Sequence, residues 1–262
     1  MTRVLSALVL LPVLLGTIWF LPPLATLALA LVAAALAFAE YAAIAAALGA
    51  TVPRLVSGTG VLAACAAVGG THAPAEVVLM SAMIAVGAAA VGSGRPGPSI
   101  LADTAAALFP MLYIGLPLGA LAAVHAAGGR EAVLLLILCI VISDSAQYYT
   151  GRALGSRPLA PSISPKKTLE GAMGGLVFGT LCMAAGGLVV FPAAGLPMLI
   201  LVGATISALG IVGDLFESLL KRSAGVKDSS GLIPGHGGVL DRIDSWLFAA
   251  PVYYVFVRYL QF

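Results

Sequence analysis

The chain has 262 residues, of which 61% are hydrophobic and only 9% are charged, and its mean hydropathy is +1.09. A soluble domain carries about 25% charged residues, so this composition excludes a soluble globular protein, a disordered protein and a nucleic-acid binder. The net charge of +2 is too small for a basic partner-binding surface. The three cysteines lie in apolar runs without disulfide or zinc-site spacing: Cys65, Cys139 and Cys182.

Apolar runs of the length that a membrane helix needs, about 20 residues, follow one another along the chain. Nine are found, at 4–21, 24–48, 55–71, 75–92, 102–125, 131–150, 171–190, 197–220 and 242–260. They lack the two-residue alternation of a barrel, which predicts an all-α, polytopic integral membrane protein with about nine transmembrane helices. Pro110 and Pro117 predict kinks in the fifth run. The first run is expected to stay as a helical hairpin turning at Pro22 and Pro23, with a cleaved signal peptide as the alternative.

The basic residues orient these helices. When the loops are assigned alternately to two sides, eleven basic residues share the side of the N-terminus: Arg3, Arg54, Arg95, Arg152, Arg157, Lys166, Lys167, Lys221, Arg222, Lys227 and Arg242. Only Arg130 and Arg258 fall on the other side. Because basic residues are enriched in cytoplasmic loops, we expect the N-terminus inside and the C-terminus outside.

Charge is concentrated in the second half of the chain, where 15 of the 24 charged residues lie between Asp144 and Asp244. This predicts a transmembrane scaffold half, 1–143, and a transmembrane catalytic half with cytoplasmic loops, 144–262, in one structural unit. The seventh helix is expected to begin at Pro165 with Ser164 as its cap.

The expected start of the seventh helix places two lysines, Lys166 and Lys167, in its first turn. An anionic ligand there would offset their unfavourable interaction with the helix dipole, and ordinary cytoplasmic lysines are the alternative. Further along the same helix, Gly171, Gly175 and Gly179 are spaced four apart, which predicts close packing of another helix.

Acidic residues also mark the ends of the last two apolar runs. In the eighth helix Asp214 and Glu217 share a face with Ser218 and Lys221. A buried acid costs a membrane helix about 2.5–3.5 kcal/mol, which favours a functional role, with an ion pair to Lys221 as the alternative.

A glycine-rich loop precedes the ninth helix, with glycines at 235, 237 and 238 around His236. Such a turn lets backbone N–H groups approach phosphate oxygens, although a plain turn is the alternative. Asp241 and Asp244 follow at the start of the helix, where negative charge is favourable even without a ligand.

The predicted topology brings these acidic groups to one cytoplasmic face: Asp144, Asp214, Asp241 and Asp244. Carboxylates without soft ligands suit a hard cation such as Mg²⁺. Six basic side chains are expected beside them: Lys166, Lys167, Lys221, Arg222, Lys227 and Arg242. The combination indicates phosphoryl or nucleotidyl transfer to a lipid, and neither a Walker loop nor a kinase signature is present.

The stretch from residue 218 to 244 resembles the signature of phosphatidate cytidylyltransferases, also called CDP-diacylglycerol synthases. The matching positions are Ser218, Lys221-Arg222, Lys227-Asp228, Pro234, His236-Gly237-Gly238, Asp241-Arg242 and Asp244. Weaker similarity covers SPKKTLEG at 164–171, Asp144 with Gly151-Arg152, and Glu40-Tyr41. The resemblance implies that CTP and phosphatidate give CDP-diacylglycerol and pyrophosphate. It also implies Mg²⁺, with K⁺ as an option, and a homodimer in the bilayer of the bacterial inner membrane, with the active site facing the cytoplasm.

If the resemblance holds, the residues divide into three groups by expected function. The expected metal ligands are Asp214 and Asp241, with Asp244 and Asp144 nearby. The expected catalytic residues are Asp214, Asp241, Lys221, Arg222 and His236. The expected substrate-binding residues are Ser164, Lys166, Lys167, Thr168, Lys227, Asp228, Gly237, Gly238 and Arg242. Lys166 and Lys167 are assigned to the lipid phosphate and the later cations to the triphosphate.

Two other classes of function stay open. One is a different CTP-dependent lipid enzyme, either an ether-lipid cytidylyltransferase or a polyprenol kinase. The other is an ion-coupled transporter, since acidic residues within a membrane mark ion paths. A transporter would place its charges near the midplane between repeated halves, and the sequence shows no such repeat.

Overall fold

The computed structural model describes residues 2–70, 73–94 and 96–260. Arg95, one of the residues used to orient the helices, lies outside the described residues, as does the side chain of Arg3. Helices account for 79% of the structure, which confirms the prediction of a mostly helical protein.

Each of the nine predicted apolar runs corresponds to helical structure. The first half contains α1 (Thr2–Phe20), α2 (Pro23–Ala47), α3 (Arg54–Gly69), α4 (Ala75–Gly92), α5 (Ile100–Pro110), a π-helical turn (Met111–Gly115) and α6 (Leu116–Leu154). The second half contains β1 (Pro158–Ala160), β2 (Ser164–Thr168), α7 (Leu169–Val190), α8 (Leu196–Ser223), α9 (Leu240–Val255) and a second π-helical turn (Phe256–Leu260). The chain turns between α1 and α2 at the predicted Pro22 and Pro23, and Pro23 occupies the first position of α2.

Five helical segments of the described chain are long and apolar enough to cross a membrane. They are Pro23–Ala47, Ala75–Gly92, Ile100–Leu154, Leu169–Val190 and Leu196–Ser223. Two shorter apolar helices, Leu11–Phe20 and Arg54–Gly69, accompany them. The segment Ile100–Leu154 is interrupted at Gly129, whose φ of 76° and ψ of −179° are not helical, so it contains the predicted fifth and sixth runs as separate helical parts.

The two prolines of the fifth run bracket an irregular turn. Between Pro110 and Pro117 the backbone is π-helical, and the amide of Leu116 donates to the carbonyl of Met111. Because a proline has no N–H to continue the α-helical pattern, a local change of hydrogen-bond register absorbs the missing donors. The kinks themselves stay predictions, and the feature that the structure shows between these prolines is a π-helical turn.

Residues Met1–Ala123 and Leu220–Arg242 form one compact unit. Within it α3 packs against α2, α4 and the first π-helical turn. A Cβ on Gly115 would lie 2.7 Å from the carbonyl oxygen of Val61, so a glycine is needed for this close approach. The Tyr41 hydroxyl on α2 donates to the carbonyl of Ala106 at 2.8 Å.

Residues Val124–Leu219 and Ile243–Phe262 form the second compact unit. Its glycine stripe packs as predicted: Gly171, Gly175 and Gly179 are buried on α7. A Cβ on Gly175 would lie 2.9 Å from the carbonyl oxygen of Ser143, and one on Gly171 would lie 2.8 Å from that of Gln147. The small residues thus allow α7 to contact the backbone of α6, which confirms their packing role.

The predicted start of the seventh helix is wrong. Ser164 and Pro165 belong to β2, which pairs antiparallel with β1, and α7 begins at Leu169. The cap is Thr168, whose hydroxyl accepts from the amide of Gly171 at 3.1 Å. Pairing with β1 keeps both lysines out of the first turn, where they would oppose the helix dipole. The argument for an anion at a lysine-bearing helix start therefore no longer applies.

Candidate active site

The segment between α8 and α9, residues 224–239, is here called the glycine-rich loop. Its tip is a tight turn in which the carbonyl of Ile233 accepts from the amide of His236 at 2.9 Å. Pro234 and Gly235 occupy the two central positions, and Gly235 has a φ of 78°, as the third residue of a type II turn requires. The turn is closed by the amide of Ile233, which donates to the carbonyl of Gly237 at 2.8 Å.

The glycine-rich loop and the start of α9 surround a cavity of about 490 Å³, a volume in the range of small-molecule sites. Its lining residues are Lys227, Asp228, Ser230, Gly231, Ile233, Gly235, His236, Gly237 and Arg242. Lys227 and Arg242 are exposed, and His236 is half-buried. The structure therefore brings together two predicted cations, the predicted histidine and a predicted glycine around one cavity.

Asp241, in the first turn of α9, is buried and accepts several hydrogen bonds from the glycine-rich loop. Its Oδ2 accepts from the amide of Ser229 at 2.9 Å, from the amide of Gly238 at 2.7 Å and from the Ser229 hydroxyl at 2.8 Å. Its Oδ1 contacts the ammonium of Lys221, and the two side chains are 4% and 10% exposed. Both carboxylate oxygens thus have donors, in a buried position.

Asp241 lies just before the ninth apolar run, and its pKa reflects these contacts. Burial would raise the pKa, but hydrogen bonds from Lys221, Gly238 and Ser229 outweigh burial and lower it to about 2. Because the folded pKa lies below the ordinary value of 3.8, this carboxylate stabilises the fold above that value. The contribution is lost only as the pH falls towards 2, so Asp241 is ionised at neutral pH.

Glu40 on α2 is a second buried carboxylate at the glycine-rich loop, and it is not among the site residues predicted from the sequence. Its side chain is 6% exposed. Oε1 accepts from the Ser230 hydroxyl at 2.6 Å and the amide of Val239 at 2.9 Å. Oε2 accepts from the Ser229 hydroxyl at 2.9 Å and the amide of Leu240 at 2.8 Å. An acidic residue inside an apolar helix is a signal of a functional or paired residue. The sequence does not show its partners, because the serines that donate to Glu40 lie about 190 residues away.

In the second unit the β-hairpin brings a predicted lysine to a predicted aspartate. Lys167 on β2 forms an ion pair with Asp214 on α8, and their side chains are 23% and 31% exposed. The Ser218 hydroxyl donates to the other oxygen of Asp214 at 3.4 Å. Lys166, the residue before Lys167, is exposed. The base of the hairpin is held by Glu170, which accepts from the amide of Ser156 at 3.1 Å.

Two further predicted carboxylates belong to the second unit. Asp144 on α6 is exposed and accepts from the side-chain amide of Gln147 at 3.0 Å. Asp244 on α9 is half-buried and accepts from the amide of Ser245 at 2.7 Å. A Cβ on Gly213 would lie 2.5 Å from the carbonyl oxygen of Asp244, so α8 and α9 touch one residue before Asp214.

The predicted site residues thus divide between the two compact units. The first unit contains Lys221, Arg222, Lys227, Asp228, His236, Gly237, Gly238, Asp241 and Arg242. The second contains Asp144, Ser164, Lys166, Lys167, Thr168, Asp214 and Asp244. In residues 2–70, 73–94 and 96–260, no group of three or more His, Cys, Asp or Glu side chains is placed to hold a metal ion. The metal assignments stay predictions.

Comparison with known proteins identifies the class to which this membrane chain belongs. The family model described as "Cytidylyltransferase family" matches residues 1–260. The match covers nearly the whole chain, including the glycine-rich loop and the β-hairpin. This chain is therefore a member of the cytidylyltransferase family.

Three similar proteins share the name phosphatidate cytidylyltransferase. The protein of Helicobacter pylori J99 is 37% identical over 188 residues, which cover 72% of this chain and 67% of the relative. Those of Bacillus subtilis 168 and Haemophilus influenzae are each 47% identical, over 122 and 135 residues. The latter alignments cover 44% and 49% of this chain, and 44% and 46% of the relatives. The resemblance stated from the sequence is confirmed.

Proposed function

We propose that this chain is a phosphatidate cytidylyltransferase, an integral membrane nucleotidyltransferase that forms CDP-diacylglycerol and pyrophosphate from CTP and phosphatidate. The observation that carries the proposal is the cationic cavity of the glycine-rich loop, found in a member of the cytidylyltransferase family. The names of the similar proteins supply the substrate class. Since phosphatidate is a phospholipid precursor, we assign the reaction to phospholipid biosynthesis.

The glycine-rich loop is suited to the triphosphate of CTP. Lys227 and Arg242 supply positive charge, and His236 supplies a further polar group at the same cavity. Gly235 and Gly237 have φ values of 78° and 81°, which favour glycine in this tight loop, and a Cβ on Gly237 would lie 2.5 Å from Oδ2 of Asp241. The two cations and His236 bind the triphosphate and stabilise the charge that develops on the leaving pyrophosphate. Lys221 contributes indirectly, through its ion pair with Asp241. Arg222 donates to the carbonyl of Val226 at 3.2 Å and so stabilises the start of the glycine-rich loop.

The β-hairpin is proposed to bind the phosphate of phosphatidate. Lys166 is exposed, and Lys167 is held by Asp214 in a fixed position on β2. A phosphate monoester has a second pKa of about 6 and is largely ionised near pH 7, so its oxygen needs little deprotonation before attack. That oxygen attacks the α-phosphorus of CTP, and pyrophosphate leaves in line. The protein contributes mainly positioning and charge stabilisation.

Mg²⁺ is the proposed cofactor, with K⁺ beside it implied by family resemblance alone. Mg²⁺ commonly binds through one or two carboxylates together with substrate phosphates, so a cage of three side chains is not required. Asp214 and Asp244 fit this pattern, since their helices touch at Gly213 and their oxygens are of the hard type. Asp241 fits it less well, because four donors engage its oxygens. Asp144, in the same compact unit as Asp214 and Asp244, is retained as a surrounding group. When bound, Mg²⁺ neutralises phosphate charge.

The basic residues support a proposed arrangement in the membrane. We place nine helices across a bacterial inner membrane with the N-terminus and the active site on the cytoplasmic side, because the eleven-to-two division of basic residues supports that orientation. A homodimer is proposed from family resemblance.

The orientation predicts which loops an impermeant thiol reagent reaches from outside intact cells. Single cysteines are introduced into a background without the three native cysteines. One replaces Ser162, which is exposed between the two strands, and the other replaces Arg130, which is exposed next to the helix break at Gly129. We expect labelling at position 130 and protection at position 162 until the membrane is permeabilised. The reverse pattern would invert the topology.

The reaction is tested with purified protein, phosphatidate and CTP labelled at one phosphorus. We expect α-phosphorus label in the extracted lipid and γ-phosphorus label in water-soluble pyrophosphate, with neither transfer when phosphatidate is omitted. Transfer of the γ-label to a polyprenol would instead identify a kinase. Transfer of α-label only to an ether-lipid phosphate would identify the other CTP-dependent class. Ion movement in vesicles without either transfer would favour the transporter.

A further inference from the structure

The position before α9, where a capping side chain would lie, holds an apolar residue. The residue before the helix is Val239, whose side chain cannot accept a hydrogen bond from the first N–H groups. The amides of Val239 and Leu240 donate instead to the carboxylate of Glu40 on α2, at 2.9 and 2.8 Å. A negative charge is also favourable at this end of a helix dipole. Glu40 therefore caps a helix that begins about 200 residues later in the chain.

The same carboxylate also accepts hydrogen bonds from two serines earlier in the glycine-rich loop. The Ser230 hydroxyl donates to Oε1 at 2.6 Å, and Ser229 Oγ lies 2.9 Å from Oε2. Ser229 Oγ also lies 2.8 Å from Oδ2 of Asp241, so its single proton is shared between two carboxylates. Between Ser230 and Val239 lie most of the residues that line the cavity. One buried side chain thus joins both ends of the segment that shapes the site.

Close packing supports this arrangement. A Cβ on Gly238 would collide with the Ser229 hydroxyl and with the Glu40 carboxylate. A glycine at this position is therefore required for the carboxylate to reach the amides behind it. Glu40 itself does not line the cavity, so it would act on the substrate only through the glycine-rich loop.

We propose that Glu40 is a positioning residue for CTP, because its carboxylate joins Ser229 and Ser230, inside the glycine-rich loop, to the amides of Val239 and Leu240 at the end of the loop, and so sets the shape of the phosphate-binding cavity. The inference rests on the proposed function for the identity of the ligand. The closure of the loop by Glu40 is a separate claim, which does not depend on the reaction.

The test compares Glu40→Gln with a matched variant on the same helix, Tyr41→Phe, which removes one buried hydrogen bond to Ala106 and none to the glycine-rich loop. Gln keeps the shape but leaves one acceptor oxygen where four donors converge. Since hydrogen bonds to a charged group are the strong ones, we expect hydrogen–deuterium exchange at Val239 and Leu240 to rise at least about tenfold in Glu40→Gln. Tyr41→Phe should exchange there as the wild type does.

Steady-state kinetics provide the second readout. Glu40→Gln should raise the KM for CTP at least about tenfold, since the lost contacts support only the nucleotide cavity, and change the KM for phosphatidate less than about twofold. Glu40→Asp, which keeps both acceptor oxygens, should recover part of the affinity for CTP. If Glu40→Gln is poorly extracted, Ser230→Ala removes one donor without altering α2 and should give a smaller rise of the same kind.

The outcomes separate the two proposals. Wild-type exchange rates at Val239 and Leu240 in Glu40→Gln would overturn the role of Glu40, whatever the enzyme's substrate. Equal rises in both KM values, matched by Tyr41→Phe, would also overturn it, since they would indicate a general loss of structure. If the wild-type protein transfers no cytidylyl group while the exchange result holds, the proposed function fails and the loop closure stands.

Discussion

Replacement of Asp214 by asparagine is expected to lower turnover of CTP at least about hundredfold and to raise the Mg²⁺ concentration needed for the remaining activity. Asparagine keeps the size of the side chain but removes the charge that attracts a cation and that holds Lys167 on the β-hairpin. The fold should survive, because loss of an acidic charge lowers the cost of placing α8 in a membrane. Turnover measured across a Mg²⁺ titration, with detergent-extracted yield as the measure of folding, tests this expectation.

Two variants provide the comparison for Asp214→Asn. Glu217→Gln changes another acid of α8, three residues further on and fully buried, and should have the milder effect on turnover. Glu76→Gln changes an exposed acid at the start of α4 and should leave turnover unchanged. Near-normal activity of Asp214→Asn at low Mg²⁺ would remove Asp214 from the metal site and leave it as the partner of Lys167.

Asp241→Ala is expected to abolish turnover for a different reason, the loss of the glycine-rich loop. The change removes the carboxylate that contacts the buried ammonium of Lys221 and that accepts from the amides of Ser229 and Gly238. Removing one partner of a buried ion pair costs about 3–5 kcal/mol, so the midpoint of thermal unfolding in detergent should fall clearly. Additional Mg²⁺ should restore neither stability nor turnover.

A double variant separates the structural contribution of the pair from its contribution to activity. The double variant Asp241→Leu, Lys221→Met removes both charges. Such apolar replacements of buried ion pairs are often neutral for stability. We therefore expect the unfolding midpoint to recover only in part in the double variant, because the amides of Ser229 and Gly238 still lack their acceptor, while turnover stays lost. Recovery of activity in Asp241→Asn at high Mg²⁺ would contradict this account and return Asp241 to the metal ligands.

The helices could be predicted because their signal is local. The apolar runs, the glycine stripe of α7 and the turn at Pro234-Gly235 each depend on residues within a few positions of one another. The start of α7 was predicted wrongly because Ser164-Pro165 satisfies the local rules for a helix start, whereas pairing with β1 places both residues in a strand. β1 is only three residues long, so rules that consider the helix start alone did not detect its pairing with β2.

In the candidate site, the contacts that the sequence did not reveal include distant ones. The motif at 218–244 identified the chemistry and five of the nine residues that line the cavity, since it is contiguous in sequence. Asp241 was assigned to a metal from its charge and position, but its four donors become visible only when the loop is folded around it. Glu40 was noted only as part of a weak resemblance, because nothing near it in sequence indicates a partner.

The capping of α9 by Glu40 has a consequence for synthesis of the chain. The carboxylate emerges from the ribosome about 190 residues before the serines that donate to it, and 200 residues before Leu240. At 5–20 residues per second this separation corresponds to roughly 10 to 40 s. During that interval α2 holds an acid inside an apolar helix without these donors. The closing of the phosphate site is therefore among the last steps of assembly, and a ribosome that stops before residue 229 leaves a chain with its buried acid still uncapped.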